Sequence, residues 1–167
     1  MIWRMSRTVI ILPGTVLLFV PGAILWATAT TTWAENPASA GDWPFWLAVV
    51  LFVPGMILAG WTSRLFLRVG EGTPAPWEPP KNLVVRGPYC YVRNPMISGV
   101  MILLVAEALV LRSWPIFLWA ALFCVVNTIY FMWSEEPGLE RRFGEDYRRY
   151  KASVPRWIPR VRPWEPS

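Results

Sequence analysis

Four apolar runs divide the 167-residue chain, at about residues 8–28, 45–67, 95–111 and 115–133. A hydrocarbon core ~30 Å thick takes roughly 20 apolar residues to cross as a helix. In lipid each segment must satisfy its own backbone polar groups, so the runs predict helices. The chain therefore reads as one all-α domain over residues 1–167, a polytopic membrane protein with about four transmembrane helices. A hydrophobic share of 54%, 12 tryptophans and a mean hydropathy of +0.36 agree with that class and not with a soluble globule of this length.

The first run follows Arg4 and Arg7. A cleaved signal peptide competes with a retained helix there, but the run exceeds the ~7–15 residues of a signal core and carries two Pro-Gly pairs, which favours the retained helix. Phe52-Val53-Pro54-Gly55-Met56-Ile57-Leu58 in the second run echoes Phe19-Val20-Pro21-Gly22-Ala23-Ile24-Leu25 in the first. Either the chain records a duplication, or both spans need a proline kink and a glycine for close helix contact; the second account is simpler. Gly70 to Pro80 is too rich in glycine and proline to continue a helix and reads as a linker or lid. Pro95 opens the third run at a permitted first-turn position, and Arg112-Ser113-Trp114-Pro115 turns it into the fourth, giving a helical hairpin.

Fifteen of the sixteen basic residues flank one side of these spans and Arg112 alone the other. The positive-inside rule then predicts a multi-pass protein of the cytoplasmic membrane with both termini in the cytoplasm. Residues 137–163 hold eight basic and three acidic side chains, which is the whole formal net charge of +5. After a membrane span, anionic lipid headgroups are a nearer partner for that tail than nucleic acid, and no nucleic-acid partner is expected. The two cysteines, Cys90 and Cys124, lie far apart and there is no histidine, so neither a metal site nor a catalytic imidazole is expected.

Two polar blocks interrupt this pattern: residues 81–95, rich in Arg, Tyr, Asn, Gly and Pro, and residues 134–149, which begin where the last apolar run ends. Polar chemistry at the membrane boundary is costly unless it binds something, so the blocks are expected to meet as one cofactor pocket. In the second block Pro137 opens a helix on which Leu139, Phe143, Tyr147 and Tyr150 share a face. Arg141, Arg142, Glu145, Arg148 and Arg149 take the other side, so this is an amphipathic helix that lies in the interface or caps the bundle. Gly144 weakens its middle by roughly 1 kcal/mol relative to alanine.

The segment Gly87-Pro88-Tyr89-Cys90-Tyr91-Val92-Arg93-Asn94-Pro95-Met96, the pair Glu135-Glu136 and the stretch Leu139 to Tyr150, followed by Val154-Pro155, resemble the integral-membrane methyltransferases. These include isoprenylcysteine carboxyl methyltransferase and the phospholipid N-methyltransferases. The resemblance spans residues 81–159 and is similar to a bacterial-type member. It implies S-adenosyl-L-methionine as cofactor, bound through Lys81, Asn82, Leu83, Val84, Tyr89, Asn94, Pro95, Met96, Ile97 and Glu135, with Arg93 and Asn94 as catalytic residues and 81–160 as the cofactor-binding half. It further implies a lipophilic small-molecule or lipid substrate met among membrane lipids. The family's Arg-His-Pro stands here as Arg93-Asn94-Pro95, its tyrosine two residues on is Ile97, and the substrate-binding arginine of the prenylcysteine enzymes aligns with Phe131. That last difference weighs against a prenylcysteine carboxylate as acceptor.

Bland readings stand beside these. Arg86 and Arg93 also suit positive-inside anchors, and Glu135 with Glu136 also suits the N-terminus of the following helix. Tyr147 and Tyr150 are more ordinary as packing residues, Glu107 as a partner of Arg112 or of water, and Asn127 as an interhelical bond. The rival to an enzyme is a non-catalytic membrane module that binds anionic lipid or a partner protein through the basic helix; a transporter is disfavoured because the polar residues gather at one face.

Overall fold

A computed structural model describes residues 14–31, 33, 36–70 and 81–165; the start of the first run with Arg4 and Arg7, and most of the expected linker (71–80), lie outside them. Every regular element among the described residues is helical. They are α1 (Thr15–Thr28), α2 (Trp43–Gly70), α3 (Pro95–Val110), α4 (Trp114–Tyr130) and α5 (Glu136–Ser153), with a π-helical turn, Phe131–Glu135, carrying α4 into α5. Proline opens α2, α3 and α4, where a missing N–H costs no hydrogen bond, and Pro137 stands just past the π-turn at the start of α5. The Ser113 hydroxyl also caps α4 by accepting from the Ile116 N–H at 3.4 Å.

Helix α2 and the helical run Trp114–Ser153, which joins α4 to α5 through the π-turn, are long and apolar enough to cross a membrane. Tryptophans mark how far the crossing extends. Trp43 and Trp61 on α2, and Trp114 and Trp133 on α4 and its π-turn, are all exposed. At 1.5 Å per residue the two pairs are about 27 and 29 Å apart, close to the hydrocarbon thickness. Between them the outward side chains are apolar, among them Val50, Val53, Ile57, Leu118, Leu122 and Val126. The chain beyond Trp133 leaves the apolar zone. Helices α1 and α3 are shorter, and α3, at 16 residues, reaches about 24 Å.

Helix α3 is the centre of the bundle. Its Val100 and Leu104 pack on Ala120 of α4, with Val16 and Leu17 of α1 against the same cluster. The adjacent face meets α2 through small residues: a Cβ at Gly99 would come 2.9 Å from the Ala59 nitrogen, and one at Gly55 would come 3.0 Å from the Leu103 side chain. Close backbone approach of this kind is how helices associate where lipid removes the hydrophobic drive. The two Pro-Gly echoes are not equivalent. Gly55 is locked against α3, whereas Gly22 has nothing within 4 Å, and Pro21 follows a π-turn while Pro54 sits inside a continuous α-helix.

At the end of the bundle away from the motifs, the Ala38 N–H donates to the Val110 carbonyl at 2.7 Å and Arg112 pairs with Asp42 at 3.4 Å. Arg112 adopts φ +49°, and the ion pair it forms is with Asp42, not with Glu107. At the motif end, α5 is polar and bends at Gly144, whose φ of +54° lies in the left-handed region that glycine alone enters freely. The glycine read as a weak point in one helix is thus a deliberate break between two short ones.

Candidate active site

The 81–94 segment is fixed to the end of α2 before it reaches α3. The Lys81 N–H donates to the Gly70 carbonyl at 2.7 Å, and the Asn82 side chain donates to the Val69 carbonyl at 3.2 Å. Gly87, at φ +57°, starts a 3-10 turn (Gly87–Cys90) pressed so closely on α2 that a Cβ would lie 3.1 Å from the Trp61 ring. This turn drives Tyr89 inward, 5.6 Å from Phe66 ring to ring. Asn94 then ends the turn, and its carbonyl accepts from the Ser98 N–H at 3.0 Å to open α3.

The C-terminal half closes over this segment from the other side. The Tyr150 hydroxyl donates to the Tyr89 carbonyl at 2.9 Å, and Tyr147, Tyr150 and Val154 form a buried cluster against Leu83 and Val85. Between the two halves lies a recess of about 50 Å3, walled by residues that include Leu83, Val84, Tyr89, Arg93, Asn94 and Glu135. Leu139, Phe143, Tyr147 and Tyr150, the face read from helical spacing, line it from α5. A much larger groove, about 1340 Å3, continues from it along α1, α2, α3 and α4. The recess and the groove share the wall formed by Phe66, Tyr89, Arg93, Asn94, Phe131, Glu135 and Leu139.

The electrostatics of that wall are uneven. Burial, and then the neighbouring Glu136 charge, push the Glu135 carboxyl up to about 7. Glu135 makes no ion pair among the described residues and lines both spaces, so it is available to a ligand. Glu136, one residue on, is tied instead: Arg93 at 2.8 Å, Arg156 at 2.7 Å and Lys151 at 3.2 Å all reach its carboxylate. Burial raises the Tyr89 hydroxyl well above its ordinary value and the Tyr147 hydroxyl to about 12, so both stay protonated and uncharged, able to donate a hydrogen bond, accept one or present a ring face.

Of the site residues expected from sequence, Leu83, Val84, Tyr89, Arg93, Asn94 and Glu135 line the recess, and Met96 and Ile97 line the groove beside it. Pro95 is buried in the first turn of α3. Lys81 and Asn82 are exposed at the end of α2 and line neither space. Phe66 is a wall residue that no sequence signal singled out, since an aromatic in an apolar run is indistinguishable there from a lipid-facing one; Phe131, noted from sequence only for the arginine it replaces, is a wall residue too.

The recess alone holds only a few atoms, well short of the ~300–1000 Å3 of a ligand pocket, and reaches that size only together with the groove it opens into. The lining fits a nucleoside bearing a cation: at Glu135 a carboxylate without an ion pair among the described residues, an amide at Asn94, ring faces at Tyr89 and Tyr147, and an apolar slot at Leu83 and Val84. In comparisons with known proteins, a family model described as phospholipid methyltransferase matches residues 43–146. No curated protein and no solved structure gives a match.

Proposed function

Because the chain belongs to the phospholipid methyltransferase family, we propose that it is an S-adenosylmethionine-dependent methyltransferase whose lipid acceptor enters along the groove. The observation that carries this reading is the shared wall: one set of side chains, from Tyr89 and Asn94 to Glu135, faces both a polar recess and a membrane-deep apolar groove. S-adenosylmethionine, when bound, supplies a methyl group already activated on a sulfonium. The protein's work is then alignment and exclusion of water, which needs no imidazole.

In this reading Glu135 accepts hydroxyl or ammonium donors of the cofactor, Tyr89 and Tyr147 offer ring faces to its cation, and Leu83 and Val84 pack on its base. Arg93 and Asn94 hold the motif turn at the reacting end. The groove walls, including Met56 and Ile97, take the hydrocarbon part of the acceptor and leave its nucleophile at headgroup level. A headgroup amine is the acceptor this site serves best. Such an amine must shed a proton before attack, and a carboxyl held near 7 is matched to take one at neutral pH. Phe131, which stands where prenylcysteine enzymes carry an arginine, instead packs its ring 5.9 Å from Trp157.

Positive-inside counting supports a cytoplasmic-membrane protein with the recess and both termini on the cytoplasmic side. The whole chain acts as one domain, with residues 81–160 as its cofactor half. The rival reading, a lipid- or partner-binding module without catalysis, rests on the exposed Arg141, Arg148 and Arg149 of α5. Calorimetry on the purified protein separates the two. Saturable S-adenosylmethionine binding that weakens in Glu135→Ala is expected; binding only to anionic liposomes, lost with added salt, would replace the enzyme with the module.

A further inference from the structure

Glu136 gathers three cations from three places in the chain. Arg93, from the turn before α3, donates Nη1 to Oε1 at 2.8 Å. Arg156, from the extended segment after α5, donates Nε at 2.9 Å and Nη2 at 2.7 Å to the same oxygen. Lys151, from the last turn of α5, reaches Oε2 at 3.2 Å and also bonds Glu140 at 2.7 Å. The Glu136 side chain is only 7% exposed, so these contacts are screened little by water.

The extended segment is held to the motif turn along its main chain as well. The Arg93 N–H donates to the Pro155 carbonyl at 2.9 Å, the Arg160 N–H to the Tyr91 carbonyl at 3.0 Å, and the Trp164 N–H to the Cys90 carbonyl at 2.9 Å. Pro155 and Arg156 are adjacent, so two successive strap residues grip Arg93, one through its backbone and the other through Glu136. The adjacent acids Glu135 and Glu136 both line the recess but divide their roles: Glu135 has no ion pair among the described residues, whereas Glu136 is consumed in the junction with Arg93, Lys151 and Arg156.

We propose that Glu136 and Arg156 are positioning residues, which clamp a C-terminal strap (154–164) onto the 88–93 turn and thereby hold Arg93 and Asn94 at the wall between recess and groove. Arg156 lines neither space, and the Glu136 carboxylate, though at the recess edge, is occupied by its three cations, so in this scheme both act through Arg93. The inference rests on the cofactor reading above for its effect on binding, but the clamp itself is a statement about the strap and has its own readout. Charge-assisted bonds in a shielded site are the strong kind, and a fork such as Arg156 is not replaced by the point charge of lysine.

The test uses the full-length protein in detergent micelles and the variant Arg156→Met, with Arg149→Met, an exposed residue whose ion pair is with Glu145, as control. Amide hydrogen exchange and calorimetry with S-adenosylmethionine are read on the same samples. In Arg156→Met the amides of Arg93, Arg160 and Trp164 should lose protection together while those of α2 and α3 keep theirs. Affinity for S-adenosylmethionine should fall about tenfold or more, with KM rising further than kcat falls, and Arg156→Lys should recover only part of this. Unchanged exchange at the three amides, or loosened amides with unchanged cofactor affinity, overturns the proposal. If Arg156→Met does not fold, Arg156→Lys decides by the same pair of readings, which must move together. A wild-type protein that binds no S-adenosylmethionine overturns the cofactor reading, and the exchange at the three amides then decides the clamp alone.

Discussion

The Tyr150 hydroxyl donates a 2.9 Å hydrogen bond to the Tyr89 carbonyl, joining the last turn of α5 to the 3-10 turn 61 residues earlier. Both residues are buried, and burial holds the Tyr150 hydroxyl far above its ordinary value, so it stays a donor throughout the usable pH range. Tyr150→Phe leaves a buried carbonyl without its partner. It should cost about 1–2 kcal/mol of stability, read as a lower thermal midpoint in detergent, and should weaken S-adenosylmethionine binding because the recess is closed by this contact. An unaltered midpoint would mean that α5 docks through its rings alone.

Gly99 of α3 and Gly22 of α1 give a paired test of packing. Gly99→Ala forces a methyl to within 2.9 Å of the Ala59 nitrogen and should destabilise by about 1–3 kcal/mol, since backbone cannot move aside. Gly22→Ala meets nothing within 4 Å and should be neutral or stabilising by about 0.5–1 kcal/mol through helix propensity. Midpoints that fall equally in both variants would contradict the account of α2 and α3 as the close-packed pair.

Glu135 predicts a pH signature of the folded state. Its carboxyl is raised from 4.5 to about 7, so folding favours the protonated form. The associated stability is fully present below the unfolded value and is lost as pH rises through the folded one, a window from about 4.5 to about 7. Glu135→Gln should remove this decline, so wild type and variant converge at acid pH and the variant is the more stable above neutrality. Parallel stability curves across the window would show that Glu135 is not buried as described.

The groove can be blocked without touching the recess. Met56→Trp adds bulk on α2 at a position that lines the groove but not the recess. KM for a lipid acceptor should rise at least about fivefold, on the scale of a perturbed hydrophobic subsite, while S-adenosylmethionine affinity stays within error. A loss of both would place the two ligands in one space.

Much of this architecture is legible in sequence because lipid imposes length and hydropathy on each segment. The four apolar runs, the proline-led helix starts and the shared face of Leu139, Phe143, Tyr147 and Tyr150 all follow from periodicity. What periodicity cannot give is the partner of a charge. Arg112 pairs with Asp42 because a left-handed turn aims it across the loop, and Glu136 is claimed by Arg156 because an extended strap folds back 20 residues later. Gly144 showed as a weak helix position, but only the backbone reveals that its left-handed φ splits α5. Lys81 and Asn82 carried the motif's polarity, yet the structure spends their backbone on ending α2.

A membrane methyltransferase site in which recess and groove share the Tyr89–Glu135 wall is tested most directly by transfer itself. Membrane lipid extract is incubated with the purified protein and methyl-labelled S-adenosylmethionine, and the lipids are resolved by mass spectrometry. We expect label in a lipid class that bears a headgroup amine, with the yield falling at least about a hundredfold in Glu135→Ala, as for loss of a general base. Labelled lipid formed equally by wild type and Glu135→Ala, or no labelled lipid from a protein that binds the cofactor, would contradict the account.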